Sequence, residues 1–269
     1  QLRQLLEQLN PDAGAERLLL VARPGAAVAE AKREPGLLTV IVSGDAAETI
    51  ASLQGQPQRP LQILVASGNA AAKSESRGDI ALEHITTTAT DFAARTNAAL
   101  PHARGQYLAF LEAGDTVEKL HYRQLLKSLE QGVSAWAIAR VNQPGVEPRD
   151  GFTLTDRLHA PARCAYVLDR SRLGPFPLTF AEGVEHSEAL FLARLAALFP
   201  VTAVNGAPTA HRPTAPAPFD PVQLEELMRA RPLRSIGPLK LSERAGWGDR
   251  LERDVQRRLP QLARWLKPR

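Results

Sequence analysis

Two carboxylates, Glu112 and Asp115, close the apolar run QYLAFLEAGD (106–115), at the end of what reads as a buried strand. Oxygen donors at a strand end suit a hard divalent cation such as Mg or Mn; the plain alternative is a solvated turn. Glu188 begins the apolar helix SEALFLARLAALF, where a lone Glu favours the positive end of the helix, and Glu182, Glu185 and His186 stand close by. His211 beside Arg212 ends a later strand-like segment, either as a ligand or as one half of a surface pair. The histidines at 84, 102, 121 and 159 have no metal-ligand spacing to one another. Arg95 and Asn97 lie on a helical stretch, where an Arg is ordinarily solvated, and Asp45 and Ser67 lie in small polar turns. Cys164, within an apolar run, reads as a small buried hydrophobe rather than a nucleophile.

The elements that position these residues alternate along the chain. LLTVIVSG (37–44) is a β-branched run, AAETIASLQGQ (46–56) a helix and LQILVASG (61–68) a second strand. Strand, helix and strand of this length imply a parallel crossover, and ligands of open parallel sheets gather at the carboxyl ends of the strands. Residues 79–87 extend the pattern as a strand, 89–103 as a helix and 106–115 as a strand. KLHYRQLLKSLEQG follows as an amphipathic helix with Leu120, Leu125, Leu126 and Leu129 inward, stopped at Gly132. VSAWAIARV (133–141) is a fifth strand, 142–160 a loop, and CAYVLDRSRL, the 187–199 helix and VTAVNGAPTAHRP complete the domain.

Composition sets the outer bounds. At 269 residues the chain can bury one substantial core plus a small addition, and 44% apolar with 23% charged residues is ordinary for a globular protein. A single cysteine rules out an intramolecular disulfide and fits a reducing cytoplasm. No apolar run approaches the roughly eighteen residues of a membrane span, and no signal-peptide pattern opens the sequence as given. The chain starts on Gln1 rather than Met, as a piece of a longer protein would. A net charge of +4 favours anionic partners such as nucleotide diphosphates, acidic lipid surfaces or nucleic acid. No nucleic-acid recognition motif accompanies it, so no nucleic-acid partner is expected.

The stretch from Asn97 to Asp115 resembles family-two glycosyltransferases. There an N-x-G-L precedes an A-x-G-x-Y-hydrophobic strand that ends in an acidic L-D-x-D-D motif. Here Asn97-Ala98-Ala99-Leu100, Ala103-Arg104-Gly105-Gln106-Tyr107 and Leu111-Glu112-Ala113-Gly114-Asp115 match over nineteen consecutive positions. The resemblance extends from about Leu37 to about Arg212. It implies a GT-A, Rossmann-like α/β fold, a mostly parallel sheet flanked by helices, with a helical tail at the C-terminus. It also implies transfer of a sugar from a nucleotide-diphospho-sugar to a glycan or lipid-linked acceptor, with inversion and with the aid of a divalent metal (Mn or Mg).

By the same resemblance Glu188 is the base that takes the acceptor proton, and Asp115, Glu112 and His211 hold the metal. Asp45, Ser67, Arg95, Asn97 and Glu112 surround the nucleotide-sugar. The sequence departs from the family where its second strand would end in two Asp residues, here Ala66 and Ser67, and where the central metal-binding Asp would stand, here Gly114. Those losses favour a rival reading, a catalytically degenerate domain that serves as a binding or scaffolding module.

The expected organisation is an N-terminal helix and connector (1–36), the GT-A domain (37–212), a Pro-rich linker (213–221) and a helical extension (222–269). In the extension, Trp247, Leu251, Val255, Leu259, Leu262 and Trp265 share one face, ringed by Arg250, Arg253, Arg257, Arg258, Arg264 and Lys267. Such a face suits an anionic membrane surface or packing against the catalytic domain or a partner subunit. A cytoplasmic protein, peripheral at the inner face of the membrane, is the expected setting.

Overall fold

The runs 37–43 and 61–67 are apolar on both faces, a pattern that needs helices on each side of a strand, and they become the middle of the sheet. The structure, a computed structural model, describes residues 33–69, 74–139, 141–142, 166–174, 176–184, 187–204 and 210–213. Apart from Phe176 and Pro177 these fall in one compact unit, 28–174 with 178–232. The N-terminal helix, the 142–160 loop beyond Asn142, Cys164, the 214–221 part of the linker and the C-terminal extension lie outside the described residues.

In chain order the elements are β1 (Glu34–Ser43), α1 (Ala47–Gln54), β2 (Leu61–Ser67), β3 (Glu75–Arg77), β4 (Ile80–Thr86) and α2 (Phe92–Ala99). A 3-10 turn at Leu100–His102 leads into β5 (Gly105–Glu112), β6 (Thr116–Val117), α3 (His121–Gln131), β7 (Trp136–Ala139) and β8 (Val141–Asn142). Then follow β9 (Tyr166–Asp169), α4 (Arg170–Leu173), α5 (Ser187–Leu198), β10 (Val201–Val204) and β11 (Ala210–His211). Eight strands form one sheet in the order β10-β7-β9-β5-β1-β2-β4-β3, and β6, β11 and β8 form a small second sheet with β11 in the middle. β5, β1, β2 and β4 run parallel, as do β7 and β10; β9 and β3 are antiparallel to their neighbours. The fold is therefore α/β with a mostly parallel sheet flanked by helices, and GT-A-like.

Alternate residues of the central strands face opposite helical layers. Val40, Val42, Ile63, Val65, Ala109 and Leu111 share a cluster with Leu53 of α1 and with Tyr122, Leu125, Leu126 and Leu129 of α3. On the other face Phe110 meets Phe180 edge-on at 5.0 Å between ring centroids, and Phe180 in turn contacts Phe92 of α2 and Phe191 of α5. Buried polar groups pin the amino ends of the strands. Thr39 Oγ1 donates to Gln62 Oε1 (2.7 Å) and accepts from the Gly105 N–H (2.9 Å), while the Arg104 N–H donates to Gln62 Oε1 (3.0 Å). These bonds tie β5 to β1 and β2 in one register, so the carboxyl ends align: Ser43 stands beside Ala66 on one side and Glu112 on the other.

Three details differ from the sequence reading. β1 starts at Glu34, ahead of Pro35-Gly36, because the chain bridges to Gly105 there and bulges before Leu38. Leu120 is not an inward residue of the helix: it precedes α3 in a left-handed conformation (φ 80°), and Tyr122 takes a place in the core instead. The sequence reading ends the fifth strand at Val141 and gives no strand at 116–117, whereas Val141–Asn142 (β8) and Thr116–Val117 (β6) belong to the second sheet.

At the amino end of β5, burial pushes the Tyr107 phenol up from its ordinary value, the Asp169 and Glu130 carboxylates add to the rise, and Arg172 opposes it. A phenol that holds its proton more tightly in the folded state gives stability that is complete below the unfolded value of about 10. That stability is lost as pH rises through the folded value. Tyr107→Phe is expected to change stability at neutral pH by no more than about 0.5 kcal/mol and to flatten its decline above about pH 10. Urea unfolding at neutral and alkaline pH checks this, and an unchanged alkaline decline would refute it.

Candidate functional site

The site is built where β1, β2, β4 and β5 end. Each ladder runs one residue past its strand: the Gly44 N–H bonds Ala66 O, the Thr87 N–H bonds Ser67 O and the Ala113 N–H bonds Ser43 O. The turns that follow are thereby held side by side. Asp45 is exposed and accepts from Asn69 Nδ2 at 3.2 Å, and Ser67 Oγ accepts the Asn69 N–H at 3.3 Å. Ser43 Oγ, buried at the same edge, has no hydrogen-bond partner among the described residues.

Arg95 reaches this edge from α2. Asp91 caps that helix by accepting the Ala94 N–H, which fixes its start just beyond β4. The Arg95 Nε donates to Ala89 O at 2.9 Å, and its Nη1 lies 3.4 Å from where a Cβ on Gly44 would stand. The same Cβ would come within 2.9 Å of the Ala113 side chain, so a side chain at 44 would crowd both. Far from being a solvated helix charge, Arg95 is half-buried and anchored by one nitrogen over the β1 turn.

The acidic turn after β5 is tightly specified. The Asp115 N–H bonds Glu112 O, the Glu112 N–H donates to Asp115 Oδ2 (3.0 Å), and the Gly114 N–H donates to Thr49 Oγ1 of α1 (3.0 Å). Asp115 is 2% exposed. Its two oxygens are gripped by Arg212, Nε to Oδ1 and Nη2 to Oδ2, each at 3.1 Å. Arg212 is itself 7% exposed, so it is a buried partner of the acidic turn rather than a surface residue. His211 points elsewhere, as alternation along an extended chain requires. Its Nε2 pairs with Glu118 Oε1 at 2.9 Å and its Nδ1 with Asn142 Nδ2 at 3.2 Å.

Asp115, Glu112 and His211 are therefore not gathered about one point. Among the described residues no three His, Cys, Asp or Glu side chains are placed to hold a metal ion. The donor set as arranged does not fit a resident divalent cation, because its most buried carboxylate is already neutralised by a guanidinium.

The remaining residues lie along the face of the sheet that carries Phe110. Asn97 clamps the chain at Phe180–Glu182: its Oδ1 accepts the Phe180 N–H (2.8 Å), and its Nδ2 donates to Phe180 O (2.9 Å) and to Glu182 Oε1 (2.8 Å). Glu188, in the first turn of α5, is 3% exposed and accepts from the Tyr166 hydroxyl at 3.1 Å. Tyr166 packs on Phe110, two residues before Glu112, so Glu188 is held near the carboxyl end of β5.

Sequence reasoning brought Asp45, Ser67, Arg95, Glu112 and Asp115 to one edge. It missed the parts played by Thr49, Arg212 and Tyr166. For Arg212 a signal existed, since adjacent residues on a strand face opposite ways and only one of His211 and Arg212 can meet Asp115. Thr49 and Tyr166 carry no such mark.

Among the described residues no helix is long and apolar enough to cross a membrane. No protein-family model matches the chain, and no curated protein does. Solved structures match in fold. S. aureus TarS 1-349 in complex with UDP superposes with a TM-score of 0.58 at 14% identity over 71% of this chain and 63% of that one. The same fragment in complex with UDP-GlcNAc gives 0.57 at 14% identity over 72% and 64%. The fragment without a named ligand gives 0.55 at 11% identity over 65% and 60%. This chain thus spans about three-fifths of the length of the structures it resembles. At these identities the likeness is one of fold, and that fold is GT-A-like.

Proposed function

We propose that the chain binds a nucleotide-diphospho-sugar at the carboxyl ends of β1, β2 and β5 and transfers the sugar, with inversion, to a glycan or lipid-linked acceptor, as a relative of the family-two glycosyltransferases. The observation that carries the reading is Arg95, held by its Nε on Ala89 O with Nη1 over the Gly44 turn. A guanidinium anchored at the switch point of a parallel sheet, beside the polar turns of Asp45, Ser67 and Asn69, suits a diphosphate with its nucleoside. TarS, whose fold the chain shares, has been solved with UDP and UDP-GlcNAc, which supports the same ligand class here.

In the reaction the acceptor hydroxyl oxygen bonds to the anomeric carbon while the bond from that carbon to the diphosphate breaks. The diphosphate leaves with the electron pair, and Glu188 takes the hydroxyl proton. One displacement gives one inversion.

Titration calorimetry with UDP, GDP, ADP and CDP tests the binding step. One of them is expected to bind, and Arg95→Ala should weaken it by about tenfold or more, the worth of a charged hydrogen bond. Absence of binding to all four would sink the proposal. A second reading, a binding module without turnover, is favoured by the burial of Glu188 and by the diversion of Asn97 to the Phe180 backbone. Nucleotide binding with no transfer to any acceptor glycan would select it.

A further inference from the structure

We infer that Arg212 takes the place of a divalent cation on Asp115, so that nucleotide-diphosphate binding at this edge is independent of metal. The nucleotide part of this statement rests on the function proposed above; the Arg212 part does not.

Three observations on different residues converge. The first is the fork itself. Both Asp115 oxygens accept from Arg212 and one also accepts the Glu112 N–H, so three of the carboxylate's acceptor positions are filled by fixed donors. A metal ion arriving at Asp115 would have to expel a buried guanidinium or sit against its like charge, and a guanidinium so buried has no water to retreat into.

The second is Pro213. Gly114 adopts φ +94°, a conformation in which L side chains are strained, and a Cβ there would meet Pro213 Cγ at 3.2 Å. Position 114 is where the resemblance expects a second metal-binding carboxylate. The segment that brings Arg212 to Asp115 also covers position 114, so the guanidinium and the cover over Gly114 come from one stretch of chain.

The third is His211. Its ring is committed to Glu118 and Asn142, on the opposite side of the extended chain from Arg212. The strand cannot present both residues to Asp115, and it presents the arginine.

With Asp115 neutralised in this way, the positive charge directed at the nucleotide is that of Arg95, whose Nη groups make no hydrogen bond or ion pair with any described residue.

Manganese uptake by the intact chain, read from the loss of the free-ion paramagnetic resonance signal, tests the Arg212 part without a nucleotide. No ion held per chain is expected. One manganese ion held per chain overturns the inference. In parallel, the affinity of whichever nucleotide binds is expected to differ by less than about twofold between excess EDTA and excess manganese. A fall of about tenfold or more in EDTA overturns metal independence. If none of the four nucleotides binds in either buffer, the proposed function fails, while manganese uptake alone still decides whether Arg212 holds the cation's place. Both measurements use the unaltered protein, so neither depends on a variant that replaces one half of a buried pair.

Discussion

Glu188→Gln is expected to stop sugar transfer while leaving nucleotide-diphosphate affinity unchanged. Glu188 stands in the first turn of α5, and Tyr166 donates its hydroxyl proton to Oε1. Gln has the same length and keeps an oxygen for Tyr166, so the packing around Phe110 and Phe191 is preserved. It has no capacity to take the acceptor proton. Loss of general-base catalysis costs about 10²- to 10⁴-fold in rate, and it should fall on kcat rather than on donor binding, because in the proposed site Arg95 and the β1 and β2 turns hold the donor. Tyr166→Phe gives the companion measurement. It removes the group that orients the carboxylate, so kcat should fall by a smaller factor with KM for the donor unchanged. Transfer that survives Glu188→Gln would remove Glu188 as the base and leave Glu182, already bonded to Asn97 Nδ2, as the next carboxylate to examine.

Which parts of this site could be read from sequence follows from the range of the interactions involved. The β-branched runs at 37–43 and 61–67 declare buried parallel strands by composition alone, and the small residues after them mark the edge where ligands collect. Asp45, Ser67, Arg95, Glu112 and Asp115 were legible as one edge because each ends or follows an apolar strand run or lies on the helix beside it. β9 was legible as a strand but not as the antiparallel partner of β5 and β7, since YVLD carries a period and no direction. β3, three exposed polar residues, carries no period at all. The Asp115–Arg212 pair spans 97 positions, and no local pattern encodes a pairing of that range. Asn97 shows the limit of reading a role from a motif: it matches the resemblance, yet its amide is spent on the Phe180 backbone, where it orders the segment leading towards α5.

Gly105 shows the converse, a motif residue whose purpose is packing, and Gly105→Ala is expected to be among the most destabilising single-methyl additions in the protein. A Cβ there would stand 2.6 Å from Leu37 O, 2.7 Å from Thr39 Oγ1 and 2.8 Å from Thr39 N. Two of the three atoms are backbone of β1 and cannot turn aside, so either β5 moves away or the Thr39–Gln62–Gly105 bonds break. Overpacking together with the lost hydrogen bonds sets the cost at about 3 kcal/mol or more, a fall in melting temperature of roughly 6–12 °C for a domain of this size. Gly55→Ala is the control: its Cβ would meet nothing closer than 3.5 Å, and a change within about 0.5 kcal/mol is expected. Thr39→Ala should not rescue Gly105→Ala, because the Leu37 carbonyl remains in the way; recovery of stability in that double variant would show the clash to be with the hydroxyl alone. Gly105 opens β5 at the end of the strand opposite Glu112, so the fraction of Gly105→Ala that stays folded should bind the nucleotide diphosphate as tightly as the unaltered chain. Thermal unfolding and calorimetry on the same sample separate the two effects. A loss of affinity in folded protein would mean that the register of β5, and not only the residues at its carboxyl end, sets the geometry of the site.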